Sequence, residues 1–390
     1  MDNQLMLVYG TIKISWFAVF TSAACLIGMV LACILRKAQK KMVSDIFITV
    51  VFSVPLGLFF GRLIYAIFPP GDGFLSFAEF ADVNIGGYGL YGVIFGGILA
   101  AFIACKAFHA EGVGSLLDCL AVGGALAITI GRFATCFTGA ETGYDVKFRV
   151  FTVYDSEQDI YNLAVYQLDG IYEAIIFVIC FCFFIFCLNN KKSRGTDGKT
   201  AMLMLALHGT NQVVMDSMRA DALMLSFNRF IKISQIIGIL CCVAVLVYLI
   251  VIDTKKTGFK KTHSATIMLI IIAIILGVFG EYRVGSANYI RNHLIMFAGM
   301  ILLDFLTLSY TVKSVKPQSV TDDNTASVKK AEIIQTPVFN KATAAVPPAS
   351  QNAFSNRNAS YSRPPLPRAP SRCEIDYEEL KHELDQLNHQ

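Results

Sequence analysis

Charged residues are scarce in this sequence of 390 residues. Asp, Glu, Lys and Arg together make up 16% of the chain, whereas soluble globular proteins carry about 25%. Hydrophobic residues make up 55%, and the mean hydropathy is +0.55. This composition excludes an ordinary soluble domain and indicates a membrane protein. A β-barrel is also excluded, because its strands alternate over about ten residues, whereas the apolar runs of this chain extend for about twenty.

The sequence also lacks the usual signs of metal, disulfide or nucleic-acid sites. It has 11 cysteines, but no Cys-x-x-Cys pair and no Cys/His spacing of zinc type. All of the cysteines except Cys373 fall in or at the ends of apolar runs, which is typical of small hydrophobic residues. No basic patch with interleaved aromatic residues is present. We therefore expect no metal, no redox or nucleotide cofactor and no nucleic-acid partner.

Nine apolar runs are long enough to cross a bilayer, and each must form a helix to satisfy its own backbone in lipid. The predicted spans are 14–35, 45–68, 85–108, 113–136, 167–188, 200–217, 230–252, 265–281 and 293–312. The sixth is short and polar at its far end. Arg36 and Lys37 follow the first run without a small-residue cleavage site, which favours a retained span. The sequence therefore predicts an all-α, polytopic integral membrane protein with about nine transmembrane helices.

Lys and Arg are concentrated in alternate loops, and such loops face the cytoplasm. The basic residues of these loops are Arg36, Lys37, Lys40, Lys41, Lys106, Lys191, Lys192, Arg194, Lys199, Lys255, Lys256, Lys260, Lys261, Lys313 and Lys316. The loop 69–84 has no Lys or Arg, and 137–166 has only Lys147 and Arg149. Nine spans then place the N-terminus outside. The segment 316–390, rich in Ser, Ala and Pro, is predicted to be a disordered cytoplasmic tail.

Charged residues within the predicted spans or at their ends are functional candidates, because charge is costly in lipid. They are Arg62, Arg132, Glu173, Asp216 and Arg219. The predicted topology places the three arginines near the outer membrane face. Arginine stays charged at any accessible pH and offers a planar fork of donors, which suits a phosphate or a carboxylate. The alternative is that each arginine extends separately to the membrane interface.

Two glycine-rich stretches open or end predicted helices. The stretch 131–143 ends the fourth span, and glycine there permits a positive φ or a close approach of the backbone to a ligand. The alternative is an ordinary tight turn at a helix exit. The stretch 86–97 opens the third span and contains Tyr91. Tight helix packing explains much of its glycine content, and Tyr91 has an alternative role as an interfacial anchor.

Taken together, these stretches resemble the bacterial prolipoprotein diacylglyceryl transferase family, in the order and spacing that the family shows. The resemblance runs from Tyr9 to about Val251. Its segments in this chain are Ile14-Ser15-Trp16-Phe17, Gly61-Arg62-Leu63-Ile64-Tyr65, Gly86-Gly87 with Tyr91-Gly92, Gly131-Arg132 through Gly139 and Gly143, Tyr172-Glu173-Ala174, Gly209 through Asp216 to Arg219, and Gln235. Gly209 through Asp216 to Arg219 resembles the family's Tyr-Gly…Arg…Glu…Arg segment. Gly86-Gly87 with Tyr91-Gly92 resembles the family's Gly-Gly…His-Gly-Gly stretch.

The chain departs from the family pattern at several positions. It has Phe17 where the family has Tyr, Tyr91 where it has His, Thr135 where it has Asn, and Gln212 where it has Arg. Glu141 lies one position later than the family's Glu, with Ala140 in register. The family uses these positions for chemistry or for headgroup binding.

The resemblance implies a bacterial plasma-membrane enzyme that transfers a diacylglyceryl group from phosphatidylglycerol to the lipobox cysteine of prolipoproteins. Its partners are phosphatidylglycerol and the signal peptides of prolipoproteins, and it needs no cofactor. The implied organisation is a seven-helix transferase-like core over 1–252, two additional helices over 253–315, and the tail over 316–390.

On the matching positions, Tyr91 and Arg132 are the predicted catalytic residues. Arg132 holds the departing phosphate, and Tyr91 is the candidate base, although a phenol with a pKa near 10 needs neighbouring arginine charge for that role. The predicted phosphatidylglycerol-binding residues are Arg62, Arg132, Thr135, Gly143, Gln212, Asp216 and Arg219.

Two other functions stay open at this point. The substitutions in the family pattern are compatible with a homologue that binds phospholipid as a membrane scaffold and has altered or lost catalysis. A transporter is compatible with nine spans and buried charge, but the sequence shows no repeated halves and no paired broken helices.

Overall fold

The computed structural model describes residues 5–9, 12–68, 75–81, 87–146, 149–155, 159–190, 198–225, 228–282 and 289–315. Helices account for most of this part of the chain, and short strands occur in the connections between them. The predicted disordered tail over 316–390 lies outside the described residues.

Nine long helices and one short helix, α3, make up the fold within the described ranges. They are α1 Trp16–Ala38, α2 Ser44–Ile67, α3 Phe77–Ala81, α4 Leu90–Ala107, α5 Val113–Ala134, α6 Val165–Asn189, α7 Lys199–Met218, α8 Ile233–Thr257, α9 Lys261–Tyr282 and α10 Tyr289–Val315. Eight of the long helices are long and apolar enough to cross a membrane, and α7 is the exception. The predicted all-α polytopic membrane fold is confirmed.

The helix α7 differs from the others because protein surrounds it. It packs against α5, α6, α8 and α10, and nearly all of its residues are buried. Polar side chains such as His208, Asn211 and Gln212 therefore face protein partners rather than lipid. Its low hydropathy, visible in the sequence as a short and polar sixth span, reflects this central position.

Glycine allows close contact between neighbouring helices. A Cβ atom placed on Gly28 of α1 would lie 2.4 Å from the carbonyl oxygen of Gly123 on α5. One placed on Gly209 of α7 would lie 2.4 Å from the carbonyl oxygen of Gly238 on α8. Small residues at such contacts permit the backbone approach that drives helix association in lipid. The glycines of this chain are therefore packing residues at these two crossings.

Seven short strands form three antiparallel sheets in the described connections. They are β1 Leu5–Tyr9, β2 Ile12–Ser15, β3 Thr142–Asp145, β4 Thr152–Asp155, β5 Ile160–Ala164, β6 Met224–Leu225 and β7 Asn228–Lys232. The strands pair as β1-β2, β3-β5-β4 and β6-β7. The middle sheet lies between α5 and α6, and Gly143 of β3 also pairs with Arg219 directly after α7. This pairing joins the end of α7 to the connection that follows α5.

The two helices beyond the predicted core pack on it through polar contacts. Asp304 of α10 accepts hydrogen bonds from Tyr172 at 2.7 Å and from Thr210. Glu281 of α9 accepts one from Gln235 at 2.9 Å. The predicted domain boundaries at 252 and 315 stay predictions, but the added helices share buried polar groups with the core.

Candidate functional site

Charged and polar side chains gather inside the bundle where α5 and α7 end and α6 begins. Arg132 lies in the last turn of α5, and Arg219 directly follows α7. These residues, which we call the polar cluster, are Arg132, Glu141, Asp169, Glu173, His208, Asn211, Gln212, Asp216 and Arg219. All of them come from α5, α6, α7 or the segments directly after α5 and α7. The cluster therefore depends on the packing of three helices.

Arg132 contacts polar side chains from three separate elements. Its Nη1 contacts Glu141, its Nε lies 2.8 Å from an oxygen of Asp169, and its Nη2 donates to Gln212 at 2.8 Å. The residue is buried, with 9% of its surface exposed. A planar guanidinium with several fixed acceptors has one orientation, so the position of its charge is defined.

Glu141 connects the two arginines of the cluster. Its Oε1 contacts Arg132 and also lies 3.1 Å from Nη1 of Arg219. Its backbone has a φ of 58° and donates to Asp221 at 3.0 Å, which turns the side chain toward the cluster. Its other oxygen, Oε2, is buried and has no hydrogen-bond partner among the described residues. Both guanidinium groups therefore meet at one carboxylate oxygen.

Arg219 is placed by carboxylates on both sides. It lies 3.2 Å from Asp216 and 3.1 Å from Asp221. Burial by itself would raise the pKa of the Asp221 carboxyl, but the charge and the N–H groups of Arg219 outweigh burial and lower it. Asp216 also accepts from Ser234, and Lys232 donates to its backbone carbonyl. Asp216 therefore contacts Arg219 and is itself held by neighbouring side chains, and its predicted role in binding phosphatidylglycerol stays a prediction.

A second set of polar contacts lies deeper in the bundle. His208 Nδ1 lies 2.6 Å from Glu173 Oε1, and both side chains are fully buried. Asn211 donates to Glu173 at 2.8 Å and to Asp169 at 2.6 Å. Because Asp169 also contacts Arg132, the second set is continuous with the arginine site.

Tyr91 of α4 lies beside His208. The two ring centroids are 5.5 Å apart, and Tyr91 is buried. The Tyr91 hydroxyl and the Nε2 atom of His208 both have no hydrogen-bond partner among the described residues. A Cβ atom on Gly238 would lie 2.8 Å from the Tyr91 oxygen, so the glycine makes room for the hydroxyl.

Arg62 lies in a different set of contacts. It donates to the backbone carbonyls of Glu79, Phe80 and Gly87, at distances from 2.7 to 3.3 Å. Its guanidinium also lies over the rings of Tyr65 and Tyr88. Of the three arginines that the sequence predicts to converge, the described contacts join Arg132 and Arg219 and do not join Arg62 to them. Its role in lipid binding stays a prediction.

Two other predicted site residues border the cluster. Thr135 is buried in the 3-10 turn Thr135–Phe137, directly after α5, and its hydroxyl donates to the carbonyl of Gly131 at 3.3 Å. A Cβ atom on Gly143 would lie 2.7 Å from the carbonyl oxygen of Met218. Thr135 thus follows Arg132 on the same chain segment, and Gly143 lets β3 approach the end of α7.

Comparisons with known proteins show which family this chain matches. The family profile described as prolipoprotein diacylglyceryl transferase matches residues 4–252, well over half of the chain. The chain belongs to this family. The match confirms the resemblance seen in the sequence and ends where the predicted core ends.

Similar curated proteins of the family come from clostridia and their relatives. Each is named phosphatidylglycerol–prolipoprotein diacylglyceryl transferase. The one from Clostridioides difficile is 22% identical over 251 residues, which cover 64% of this chain and 96% of that protein. The one from Clostridium kluyveri is 24% identical over 246 residues, covering 62% and 94%. A relative from Clostridium perfringens, numbered 1, is 23% identical over 262 residues, covering 66% and 97%.

The sequence indicates Glu173 as a functional candidate, but not Asp169, His208 or Asn211. Asp169 and Glu173 are four residues apart on α6, a spacing that places both carboxylates on one helix face. His208 occupies the position of the Tyr in the family's Tyr-Gly pair, directly before Gly209. Asn211 follows one turn later on α7. The sequence shows these spacings within each helix, but it does not show that the side chains of α6 contact those of α7.

Proposed function

We propose that this chain transfers the diacylglyceryl group of phosphatidylglycerol to the lipobox cysteine of prolipoproteins. The observation that carries the proposal is the meeting of Arg132 and Arg219 at one oxygen of Glu141. An anionic group already touches both guanidinium groups there, and the phosphate of a phosphatidylglycerol headgroup needs the same arrangement. The family match and the names of the relatives support the same reaction.

The reaction needs fixed positive charge where the phosphate leaves. The cysteine sulfur attacks the glycerol carbon of the diacylglyceryl group, and the carbon–oxygen bond to the phosphate breaks. Negative charge then develops on the departing glycerol phosphate. Arg132 is the residue that we propose to stabilise this charge, with Arg219 beside it. Preorganised donors in a site that excludes water lower the barrier of such a step most effectively.

The remaining predicted residues complete the proposed headgroup site. Gln212 and Asp216 orient Arg132 and Arg219 respectively, by the contacts described above. Thr135 and Gly143 lie in the segment that follows α5 and are proposed to contact the headgroup from there. Arg62 is proposed as a more distant phosphatidylglycerol ligand. Tyr91 stays the second proposed catalytic residue.

The proposed setting is a bacterial plasma membrane, with the N-terminus outside and the C-terminal tail in the cytoplasm. The polar cluster then lies toward the outer leaflet, because α5 and α7 end there in the predicted topology. The distribution of Lys and Arg among the loops supports this orientation. Prolipoproteins would approach this end with their signal peptides in the same membrane.

A phospholipid-binding scaffold without transfer activity is the second candidate. The observation that favours it is Gln212, which occupies the position of a family Arg and removes one positive charge beside Arg132. The presence of Tyr91 at the position of the family His also favours the scaffold. Such a protein would hold an anionic phospholipid on Arg132 and Arg219 and release no glycerol phosphate.

Expression in cells depleted of their own transferase tests the proposal. We expect a prolipoprotein in these cells to gain the mass of a diacylglyceryl group, and Arg132→Ala to abolish the gain. Arg149→Ala is the matched control, because Arg149 is exposed and lies outside the polar cluster. Full transfer by Arg132→Ala would remove Arg132 from the mechanism. Copurified phospholipid without any transfer by the wild type would favour the scaffold.

A further inference from the structure

His208 and Glu173 form a buried pair that the proposed headgroup site does not use. His208 Nδ1 lies 2.6 Å from Glu173 Oε1, and both residues have 0% of their surface exposed. Glu173 Oε1 also accepts from Asn211 at 2.8 Å. A histidine held by a carboxylate inside a membrane protein is costly to bury and is a functional candidate by default.

The contacts fix the tautomer of His208. Glu173 Oε1 accepts from Asn211, and an ionised Glu173 can only accept from His208 as well, which places the proton on His208 Nδ1. The lone pair of the neutral imidazole is then on Nε2, which is buried and has no partner among the described side chains. A carboxylate behind Nδ1 also stabilises the imidazolium that forms when Nε2 takes a proton.

The position of His208 suits a base for a thiol. Its ring lies 5.5 Å from that of Tyr91, whose hydroxyl also lacks a partner within the described ranges. Asn211 and Asp169 connect the pair to Arg132, the residue proposed to hold the phosphate. Base and phosphate site therefore belong to one connected set of buried side chains.

Histidine is chemically better suited to this role than the phenol of Tyr91. A phenol has a pKa near 10, whereas imidazole titrates near 6.5 and accepts a proton readily at neutral pH. To act as a base, the phenol of Tyr91 would need a neighbouring arginine whose charge is not neutralised by carboxylates. Arg132 instead contacts two carboxylates, those of Glu141 and Asp169.

We propose that His208, positioned by Glu173, is the base that removes the proton from the lipobox thiol, with the Tyr91 hydroxyl orienting the sulfur. This inference rests on the transfer reaction proposed above. The S–H proton moves to His208 Nε2, and the sulfur lone pair forms the bond to the glycerol carbon. The electrons of the broken carbon–oxygen bond leave on the phosphate oxygen. The imidazolium then gives its proton to the departing glycerol phosphate, which restores neutral His208.

The test compares two lipobox peptides that differ only in the nucleophile, cysteine or selenocysteine. A selenol ionises at much lower pH than a thiol, so it needs no base at neutral pH. The purified full-length chain is assayed in micelles that contain phosphatidylglycerol, and product is measured by mass. We expect His208→Gln to lower kcat for the cysteine peptide roughly 100-fold and for the selenocysteine peptide by less than tenfold.

Two further variants distinguish the role of His208 as a base from a role in packing and from the orientation of the sulfur by Tyr91. Glu173→Gln keeps the acceptor oxygen and removes its charge, and we expect a cysteine-selective loss of roughly tenfold. Tyr91→Phe removes one hydroxyl and is expected to slow both peptides to a similar extent. Each variant must elute and unfold like the wild type before its rates are compared.

The outcomes distinguish this inference from the proposed function. No transfer by the wild type to either peptide would end both. Wild-type transfer with equal losses for the two peptides in His208→Gln would show a structural role and overturn the inference alone. A cysteine-selective loss in Tyr91→Phe, with none in His208→Gln, would assign the base to Tyr91.

Discussion

Gln212 accepts a hydrogen bond of 2.8 Å from Nη2 of Arg132. The family segment has an Arg at the position of Gln212, so this chain carries one positive charge fewer beside its central arginine. The amide instead helps to hold the Arg132 guanidinium against Glu141 and Asp169. The substitution thus replaces a cation of the family pattern with a neutral group that orients the remaining one.

Gln212→Glu tests whether Arg132 binds the phosphate. A carboxylate at this position would pair with Arg132 and compete with the headgroup. We expect the KM for phosphatidylglycerol to rise roughly tenfold, or about 1.4 kcal/mol, with the KM for the peptide unchanged. Asn189→Asp adds the same charge at the exposed last residue of α6, at the other end of the bundle. An unchanged KM for the lipid in Gln212→Glu would separate Arg132 from headgroup binding.

Glu141→Gln tests the connection between the two arginines. The change leaves Arg132 and Arg219 without their shared negative charge, and both are largely buried. We expect the free energy of unfolding to fall by about 3 kcal/mol, as for other buried pairs that lose one partner. Thermal unfolding of the purified protein in detergent measures the change.

A matched control for this variant is Glu111→Gln, since Glu111 is exposed and its side chain lies outside the polar cluster. We expect it to change stability by less than about 0.5 kcal/mol. Equal stability of the two variants would mean that the ion pairs of Glu141 do not stabilise the fold.

Gly238→Ala tests the crossing of α7 and α8. The added Cβ would lie 2.5 Å from the carbonyl oxygen of Gly209 and 2.8 Å from the Tyr91 oxygen. We expect a loss of about 1–3 kcal/mol from overpacking, together with slower transfer. Gly97→Ala on α4 is the control, because a Cβ there meets nothing within 4 Å. A Gly238→Ala protein as stable and active as the control would contradict the close packing beside Tyr91.

Asp304→Ala tests whether the added helices stabilise the core. Asp304 of α10 accepts from Tyr172 on α6 and from Thr210 on α7, so its removal leaves one half-buried and one buried hydroxyl without that acceptor. We expect a loss of about 1–3 kcal/mol in detergent. Ser309→Ala, exposed on the same helix, should have little effect. If both variants unfold alike, α10 is only loosely attached to the core.

The spans could be predicted from the sequence because lipid imposes one solution on an apolar run of about twenty residues. All nine predicted runs correspond to long helices. The polar α7 gives the weakest signal in the sequence, because its neighbours supply the partners that lipid cannot. The strands β3, β4 and β5 were not predicted, since each has four or five residues and gains its stability from pairing.

The site was predictable only in part. Arg132 and Arg219 stand out as charges near the ends of apolar runs, and the structure brings them together. The role of Glu141 depends on a positive φ after the 3-10 turn, which no residue pattern specifies. The pairing of His208 with Glu173 spans 35 residues and exists only because α6 packs against α7.

The most direct test of the central claim counts both products of the reaction. The purified chain is mixed with headgroup-labelled phosphatidylglycerol and a lipobox cysteine peptide. We predict one glycerol phosphate released for each diacylglyceryl thioether formed, and a loss of about 100-fold in rate for Arg132→Lys, which keeps the charge and loses the planar fork. No thioether from the wild type, or an unchanged rate in Arg132→Lys, would contradict transfer at the Arg132 site.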